Sequence, residues 1–144
     1  MNYQTRYASS PVEAKSMDTN LLRKNFLIEE LFEEDKINFV YSHFDRFITG
    51  GVKPVGQKVS LEAIDPLKAP FFLERRELGI INVGGEGEVE VNGEVFTLNY
   101  KEALYVGKGN EKVVFSSKDA AKPAKFYLNS TPAHHAYPTK KVTK

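Results

Sequence analysis

Four charged residues, Glu74 to Glu77, run directly into an apolar segment that ends in a glycine-rich stretch, residues 84–87. Clustered carboxylates and guanidiniums are groups that carry out acid–base catalysis or bind anions. In an extended strand, Glu74 and Arg76 share one face, and Arg75 and Glu77 share the other. The spacing therefore predicts that one pair faces the interior of the fold, in an internal or interfacial ion-pair network.

The glycine-rich stretch, Gly84-Gly85-Glu86-Gly87, raises the question of a phosphate-binding loop. A dinucleotide-binding loop carries Gly-x-Gly-x-x-Gly between a strand and a helix, and a P-loop continues into Gly-Lys-Ser/Thr. Gly85 and Gly87 have the first spacing, but the residues that follow, "EVEVNG", are typical of a strand. The stretch is therefore interpreted as a tight bend or bulge between two strands.

The segment from Glu77 to Ser117 reads as a series of short strands separated by glycine turns. The sequence Asn92-Gly93 predicts a type I′ hairpin, because both central residues of that turn need a positive φ. Residues 107–110 predict a second turn, and "KFYLNS" predicts a further strand. Strand signals at intervals of about 8 to 12 residues are typical of a sandwich or barrel.

The first third of the chain contains a helix signal and further strand signals. Asp18 or Thr19 can cap a short helix that ends at about Asn25. Residues 37–51 alternate as a strand that ends at the glycine pair 50–51, and another strand is predicted after Pro54.

Composition limits the classes of function. The chain has 144 residues, with 20 Lys and Arg against 19 Asp and Glu, so its net charge of +1 favours neither nucleic acid nor anionic membrane as a partner. It has no cysteine, which excludes disulfides and thiolate metal ligands. No apolar run is long enough to span a membrane, and residues 1–20 lack the apolar core of a signal peptide, so we expect a cytoplasmic protein.

The pattern around the charged cluster resembles the cupin fold, a small double-sheet β-barrel that usually holds a metal. Glu77 and Gly84 match the glutamate and glycine of the first cupin motif, which also contains His-x-His. Those histidines would fall within residues 70–73, where this sequence has Pro-Phe-Phe-Leu, and the histidine of the second motif falls at Lys112. A divalent metal needs several deprotonated donors at one point, so we predict no metal in this barrel.

A more specific resemblance covers residues 16–143. The blocks "YSHFDRFITGGVKP", "FFLERRELGIINVGGEGEVEVNGE" and "PAHHAYPTKKVT" resemble, in this order, the N-terminal half of the 5-keto-4-deoxyuronate isomerase family, the 4-deoxy-L-threo-5-hexosulose-uronate ketol-isomerases. The resemblance implies a two-cupin sugar isomerase of pectin and uronate degradation. It also implies a homo-oligomer, a hexamer, with zinc held by histidines and a glutamate of its C-terminal cupin. No position here matches that zinc site, so we expect no cofactor in this chain.

The reaction that the resemblance implies interconverts 5-dehydro-4-deoxy-D-glucuronate and 3-deoxy-D-glycero-2,5-hexodiulosonate. Such an isomerisation needs a Lewis acid or hydrogen-bond donor at the carbonyl oxygen, a base that works near neutral pH, and a cation for the substrate carboxylate. The substrate-contact candidates in this half are Arg75, Arg76, Glu77, Lys108 and His43. No catalytic residue is assigned, and the 144-residue chain alone is expected to be inactive.

The predicted fold is all-β, a cupin or double-stranded β-helix (jelly-roll barrel) with a short N-terminal helix. Residues 1–16 are predicted to be a loop-like arm, residues 17–130 a metal-free cupin barrel, and residues 131–144 a strap or linker toward a second cupin.

Two alternative functions stay open. The chain could be a self-standing metal-free cupin that binds a sugar acid without catalysis, or an assembly module with a large exposed apolar area on one sheet.

Overall fold

The computed structural model describes residues 2–144, and its architecture is two β-sheets around one apolar core. The strands are β1 (Asn2–Arg6), β2 (Ile37–Ser42), β3 (Ile48–Val52), β4 (Val59–Ser60), β5 (Arg76–Asn82), β6 (Gly87–Val91), β7 (Glu94–Leu98), β8 (Ala103–Val106), β9 (Val113–Ser117), β10 (Phe126–Pro132) and β11 (Lys140–Val142). The helices are α1 (Pro11–Lys15) and α2 (Thr19–Phe26), with a 3-10 turn at Asp65–Leu67. No helix among these residues is long and apolar enough to cross a membrane.

The larger sheet has seven strands in the order β1-β2-β3-β10-β5-β8-β11, and the smaller has four in the order β4-β9-β6-β7. Strand β1 pairs parallel with β2, and the other strand pairs within the two sheets are antiparallel. Neighbours in a sheet are often distant in sequence, as β3 and β10 are. The predicted all-β class is therefore confirmed, with non-local pairing as in a jelly roll.

The core forms because alternate residues of each strand point between the sheets. In β5, Leu78 and Ile80 are fully buried, whereas Ile81 is 38% exposed. Burying a side chain of this size stabilises the fold by about 1.5–3 kcal/mol. The largest fully buried side chains are Phe39, Phe72, Phe115, Phe126, Ile37, Ile48, Leu73, Leu78, Ile80, Leu98, Leu104 and Leu128.

Two local predictions are confirmed by backbone geometry. The hairpin between β6 and β7 turns at Asn92 and Gly93, which have φ values of 47° and 92°. Helix α2 is capped by Asp18, whose carboxylate accepts a hydrogen bond of 2.8 Å from the backbone N–H of Leu21. Both features depend on neighbouring residues only, which is why the sequence predicts them.

The single strand predicted over residues 37–51 is wrong, because the structure has two strands there. The chain turns between β2 and β3 at Asp45 and Arg46, whose φ values are 53° and 54°. The glycine pair lies inside β3 and does not end a strand. A Cβ atom on Gly50 would lie 2.5 Å from the ring of Phe39, so the absence of a side chain lets the two strands approach.

The two ends of the chain are also more ordered than predicted. Residues 1–16 were expected to be loop-like, but β1 joins the large sheet, and Ser10 and Glu13 form a capping box at the start of α1. At the other end, β11 pairs with the free edge of β8. The ammonium group of Lys141 lies 3.0 Å from the Glu102 carboxylate, which ties β11 to the turn before β8.

The glycine-rich stretch is the bend between β5 and β6, as predicted, and it closes around a buried asparagine. The side-chain N–H groups of Asn82 donate to the carbonyls of Gly85 and Leu98, at 2.7 and 2.9 Å. Its side-chain oxygen accepts from the backbone N–H of Gly84 at 3.0 Å and of Lys125 at 3.3 Å. A Cβ atom on Gly85 would lie 2.0 Å from the Lys122 carbonyl oxygen, so only glycine fits under the 118–125 loop.

Asn82→Ala is expected to destabilise the fold by about 3 kcal/mol, because it leaves buried backbone groups without hydrogen-bond partners. Urea denaturation followed by circular dichroism measures the change in the free energy of unfolding. Asn20→Ala, on the exposed face of α2, is the matched control and should change the stability by less than about 0.5 kcal/mol. A loss below about 1 kcal/mol for Asn82→Ala would mean that the side chain does not hold the bend.

Candidate functional site

The sequence-predicted site residues lie around one end of the large sheet. Ser130 of β10 pairs with Ile48 at the start of β3 and with Leu78 near the start of β5. Leu78 in turn pairs with Val106, the last residue of β8. The start of β5, the end of β8 and the turn before β3 therefore lie close together, although their side chains face different sides.

Arg76 is the member of the charged cluster that enters the fold, with 5% of its surface exposed. Its guanidinium donates to the hydroxyl of Ser130 at 3.1 Å, to the carbonyl of Ser130 at 2.9 Å and to the carbonyl of Arg46. Within residues 2–144, no carboxylate lies at ion-pair distance from it. The predicted Arg–Glu network is therefore wrong for Arg76, which is satisfied by a hydroxyl and carbonyl oxygens.

Desolvation changes the acidity of this guanidinium. Burial lowers the pKa of Arg76 to about 10, the nearby Tyr41 phenol opposes that change, and Arg46 adds to it. Arg76 therefore stays charged at neutral pH. Its charge, together with the three hydrogen bonds, fixes the β2–β3 turn against the ends of β5 and β10.

Glu77 faces the opposite side of β5, and the predicted ion-pair network is wrong for it too, because among the described residues it pairs with neither an arginine nor a lysine. Its carboxylate accepts a hydrogen bond of 2.7 Å from the phenol of Tyr105. The register explains the partner, because Tyr105 pairs with Gly79 and so lies diagonally next to Glu77 on the same face of the sheet. Lys112 lies just before β9, and its backbone N–H donates to the Asn92 side chain at 2.9 Å.

The Glu77–Tyr105 pair lies on the floor of an external groove of about 570 Å³, which the C-terminal segment covers. The groove is lined by Glu77, Tyr105, Tyr137, Pro138, Thr139, Lys140 and Val142. Burial first, and then the Glu77 carboxylate, raise the pKa of the Tyr105 phenol to about 12. The phenol is therefore a hydrogen-bond donor at neutral pH and is not available as a base.

The other three candidates do not converge on a common point. Arg75 is exposed and donates at 2.9 Å to the carbonyls of Leu67 and Lys68, where it closes the 3-10 turn. Its weak ion pair with Glu74, at 3.7 Å, is also at the surface. Lys108 is half-buried in the turn after β8.

His43 is exposed in the turn between β2 and β3. Its ring stacks on Tyr7, with 4.7 Å between the ring centroids, and meets the edge of Tyr41 at 5.3 Å. The structure therefore brings His43 and Arg76 to the same end of the fold, since Arg76 binds the backbone of that turn.

The interior of the fold does not fit a metal ion. Within residues 70–73, where a cupin carries its first two histidines, Phe72 and Leu73 are buried, and the ring of Phe72 stacks on Phe39 with 5.0 Å between centroids. Glu77, the one ligand-type residue of the matching motif, points away from this interior. Within residues 2–144, no three His, Cys, Asp or Glu side chains are placed to hold a metal together. Residues 70–73 and Glu77 therefore do not supply the converging donors that zinc needs.

Sequence reasoning missed Ser130 and Tyr105 as partners of the charged cluster. Ser130 follows Phe126 and Leu128 at the inward positions of β10, so a polar residue in an apolar alternation was the available signal. Tyr105 lies in a predicted strand, where a tyrosine is ordinarily a packing residue with its hydroxyl at the rim. Its contact with Glu77 depends on the β5–β8 register, which the sequence does not reveal.

Tyr105→Phe is expected to lower the free energy of unfolding at pH 8 by about 1 kcal/mol, since it removes one hydrogen bond to a carboxylate. The raised pKa means that this contribution is present below about pH 10 and is lost as the pH rises toward about 12. The difference between the parent and the variant should therefore shrink between pH 8 and pH 11, in urea denaturation at each pH. Tyr127→Phe, on β10 of the same sheet, is the control, and an equal pH dependence in both variants would contradict the assignment.

Comparisons with known proteins agree with the resemblance seen in the sequence. The model of the KduI/IolB family matches residues 26–144. The 4-deoxy-L-threo-5-hexosulose-uronate ketol-isomerase 1 of Bacteroides thetaiotaomicron is 59% identical over 143 residues, which are 99% of this chain and 51% of that protein. The ketol-isomerase of the same name from Formosa agariphila is 59% identical over 142 residues, which are 99% of this chain and 51% of that protein. The chain therefore spans about half the length of the curated relatives it matches.

Solved structures with similar folds are cupins. The cupin domain of Schizosaccharomyces pombe Cnp3 has a TM-score of 0.51 at 16% identity and covers 68% of this chain and 64% of that one. The cupin domain of an XRE-family transcriptional regulator from Enterobacter cloacae has a TM-score of 0.52 at 13% identity and covers 72% of this chain and 96% of that one. At such low identity these structures show the fold and not the function. The family model over residues 26–144 and the two relatives at 59% identity together show that the chain belongs to the KduI/IolB family.

Proposed function

We propose that this chain is the N-terminal cupin half of a ketol-isomerase that interconverts 5-dehydro-4-deoxy-D-glucuronate and 3-deoxy-D-glycero-2,5-hexodiulosonate. The proposal is supported by relatives named as this isomerase, to which almost the whole chain aligns at 59% identity. In the proposal, this half is scaffold and interface, and the metal-dependent step belongs to the other half of the protein. The substrate is a small keto-uronate, and the protein acts in the cytoplasm as a homo-oligomer, a hexamer by family resemblance.

The observation that carries this division of roles is the filled interior of the barrel. Residues 70–73, which include the cupin histidine positions in either alignment, contain the buried Phe72 and Leu73, and Phe39 packs on Phe72. A Lewis acid for the substrate carbonyl needs several converging donors, and apolar side chains supply none. Zinc, which the family resemblance implies, would therefore be held by residues outside this chain.

The polar groups of this half have structural partners, which supports a scaffold role. Arg76 binds three oxygen atoms of Ser130 and Arg46, and Glu77 binds Tyr105. A base or a substrate-binding cation has to offer a free lone pair or N–H group to the ligand. His43 is exposed at the end of the barrel where Arg76 is buried, so any substrate contact from this half is proposed to involve His43 and its surroundings.

Zinc content and isomerase activity of the 144-residue chain test the division of roles. We expect well below one zinc per chain after dialysis, and turnover of 4-deoxy-L-threo-5-hexosulose uronate at the level of the uncatalysed reaction. Metal analysis by mass spectrometry and a coupled or NMR assay of the ketose product measure the two quantities. The relative from Bacteroides thetaiotaomicron, assayed under the same conditions, is the positive control.

Stoichiometric zinc together with full turnover would contradict this proposal. The melting temperature of the chain in the presence of a uronate tests the alternative function. If the chain is inactive but its melting temperature rises with a uronate present, the alternative of a metal-free cupin that binds a sugar acid is supported, because a ligand that binds only the folded state stabilises it.

A further inference from the structure

Arg76 is a buried cation without a carboxylate partner. Only 5% of its surface is exposed, and among residues 2–144 no carboxylate lies at ion-pair distance from it. Removing a charge from water is costly unless an opposite charge compensates it, which is why buried charges in proteins are paired as a rule. The barrel mouth, which the start of β5, the end of β10 and the β2–β3 turn form, therefore carries an uncompensated positive charge.

The guanidinium of Arg76 keeps two N–H groups that bind nothing in the described chain. An arginine has five N–H donors. Its three hydrogen bonds run from Nε to the Ser130 hydroxyl and from Nη2 to the carbonyls of Arg46 and Ser130, so both hydrogens of Nη1 remain. Across residues 2–144, every fully buried side-chain nitrogen or oxygen has a hydrogen-bond partner, so Nη1 lies where solvent reaches it. A ligand that enters the barrel mouth can therefore accept hydrogen bonds from Nη1.

The phenol of Tyr41 faces the same interior. Tyr41 pairs with Ile48, and Ile48 pairs with Ser130, so the three buried residues form one inward row across β2, β3 and β10. Burial lowers the pKa of Arg76, the Tyr41 phenol opposes this change and Arg46 adds to it, which places both side chains close to the guanidinium. The Tyr41 hydroxyl makes no hydrogen bond to residues 2–144, so it too lies where solvent reaches it. It is a further donor at the barrel mouth.

Arg46 adds a second positive charge at the barrel mouth. Its side chain is exposed, and within the described chain neither Arg46 nor the adjacent Asp45 forms an ion pair. Two guanidiniums close together repel each other, and one anion beside them would compensate both charges. The ring of His43, which meets the edge of Tyr41 with 5.3 Å between centroids, lies beside this point.

We propose that the barrel mouth is a binding site for a small organic carboxylate, with Arg76 at its base and with Arg46 and Tyr41 beside it. The exposed ring of His43 forms its rim. The free N–H groups of Arg76 and the phenol suit the two acceptor oxygens of a carboxylate, and hydrogen bonds between ionised partners are the strong ones. The choice of a uronate as the ligand rests on the proposed function, whereas the binding of a carboxylate rests on these contacts alone.

Isothermal titration calorimetry of the 144-residue chain with sodium D-glucuronate, at constant ionic strength, tests the proposal. We expect one glucuronate per chain with a Kd of about 10 mM or tighter, and no binding of the neutral counterpart D-glucose. The chain has five arginines, so the side-chain N–H signals of Arg76 can be followed by NMR. They should shift over the same range of glucuronate concentration.

Variants at the wall of the site test the two groups that make no bonds of their own. Arg46→Gln should weaken glucuronate binding about fivefold or more, because it removes one of two positive charges, and Arg46→Lys should restore binding to within about threefold of the parent. Tyr41→Phe should weaken it about threefold, because one hydrogen bond is lost. The melting temperatures without ligand should stay close to that of the parent. Arg76 itself is kept, because it holds the β2–β3 turn and a loss of folding would hide a loss of binding.

Lys122→Gln is the matched control, because it removes one exposed positive charge from the loop at the opposite end of β10 and should leave binding unchanged. Equal weakening by Lys122→Gln and Arg46→Gln overturns the proposal, since it would show general attraction between charges only. So does the absence of glucuronate binding at about 50 mM, or equal binding of glucose. Displacement of glucuronate by an equal concentration of sulfate overturns the assignment of a carboxylate. None of these results depends on zinc or turnover, so they are distinct from a failure of the proposed function.

Discussion

Strand β5 lies between β10 and β8 near the middle of the large sheet, and its two-residue alternation sets the character of both faces. Arg76, Leu78, Ile80 and Asn82 point inward, and all four are buried. Glu77 points outward, toward Tyr105. A shift of register by one residue would exchange these faces and place Glu77 in the core without a partner, which is costly for a carboxylate. The pairing of β5 with both neighbours therefore decides where the charges of the cluster can act.

Both ends of β5 are held by polar side chains that enter the interior. At the start of the strand, Arg76 joins the end of β10 to the β2–β3 turn. At its end, Asn82 joins the glycine-rich bend to the end of β7 and to the loop before β10. In each case the side chain makes hydrogen bonds to backbone groups, which is the reason that polar residues are stable in these apolar surroundings. Between these two ends the interior is packed by apolar side chains, with the ring of Phe72 stacked on Phe39.

The two termini cover opposite edges of the same sheet by different means. Strand β11 adds to the β8 edge and is fixed by Lys141 and Glu102. Strand β1 adds to the β2 edge but brings with it helices whose apolar side chains remain exposed. The alternative of an assembly module had placed the exposed apolar area on a sheet, whereas the structure has a cluster of it on α2. The two edges thus differ, since one ends in a strand fixed by an ion pair and the other carries exposed apolar side chains.

The sequence alone determined the all-β class, the helix capped by Asp18, the Asn92–Gly93 hairpin and the family. These follow from residues close together in the chain, or from the order of whole blocks. It also determined that residues 70–73 lack metal ligands, because that depends on residue type only. Tertiary structure decided the partners of Arg76, Glu77 and Asn82, the division of residues 37–51 into two strands, and the strands formed by both termini. The partners and the terminal strands depend on register between strands that lie far apart in sequence, because a two-residue period shows which side chains share a face but not what they meet across it. The β2–β3 turn is local, but Asp45 and Arg46 adopt its positive φ values without a glycine to signal it.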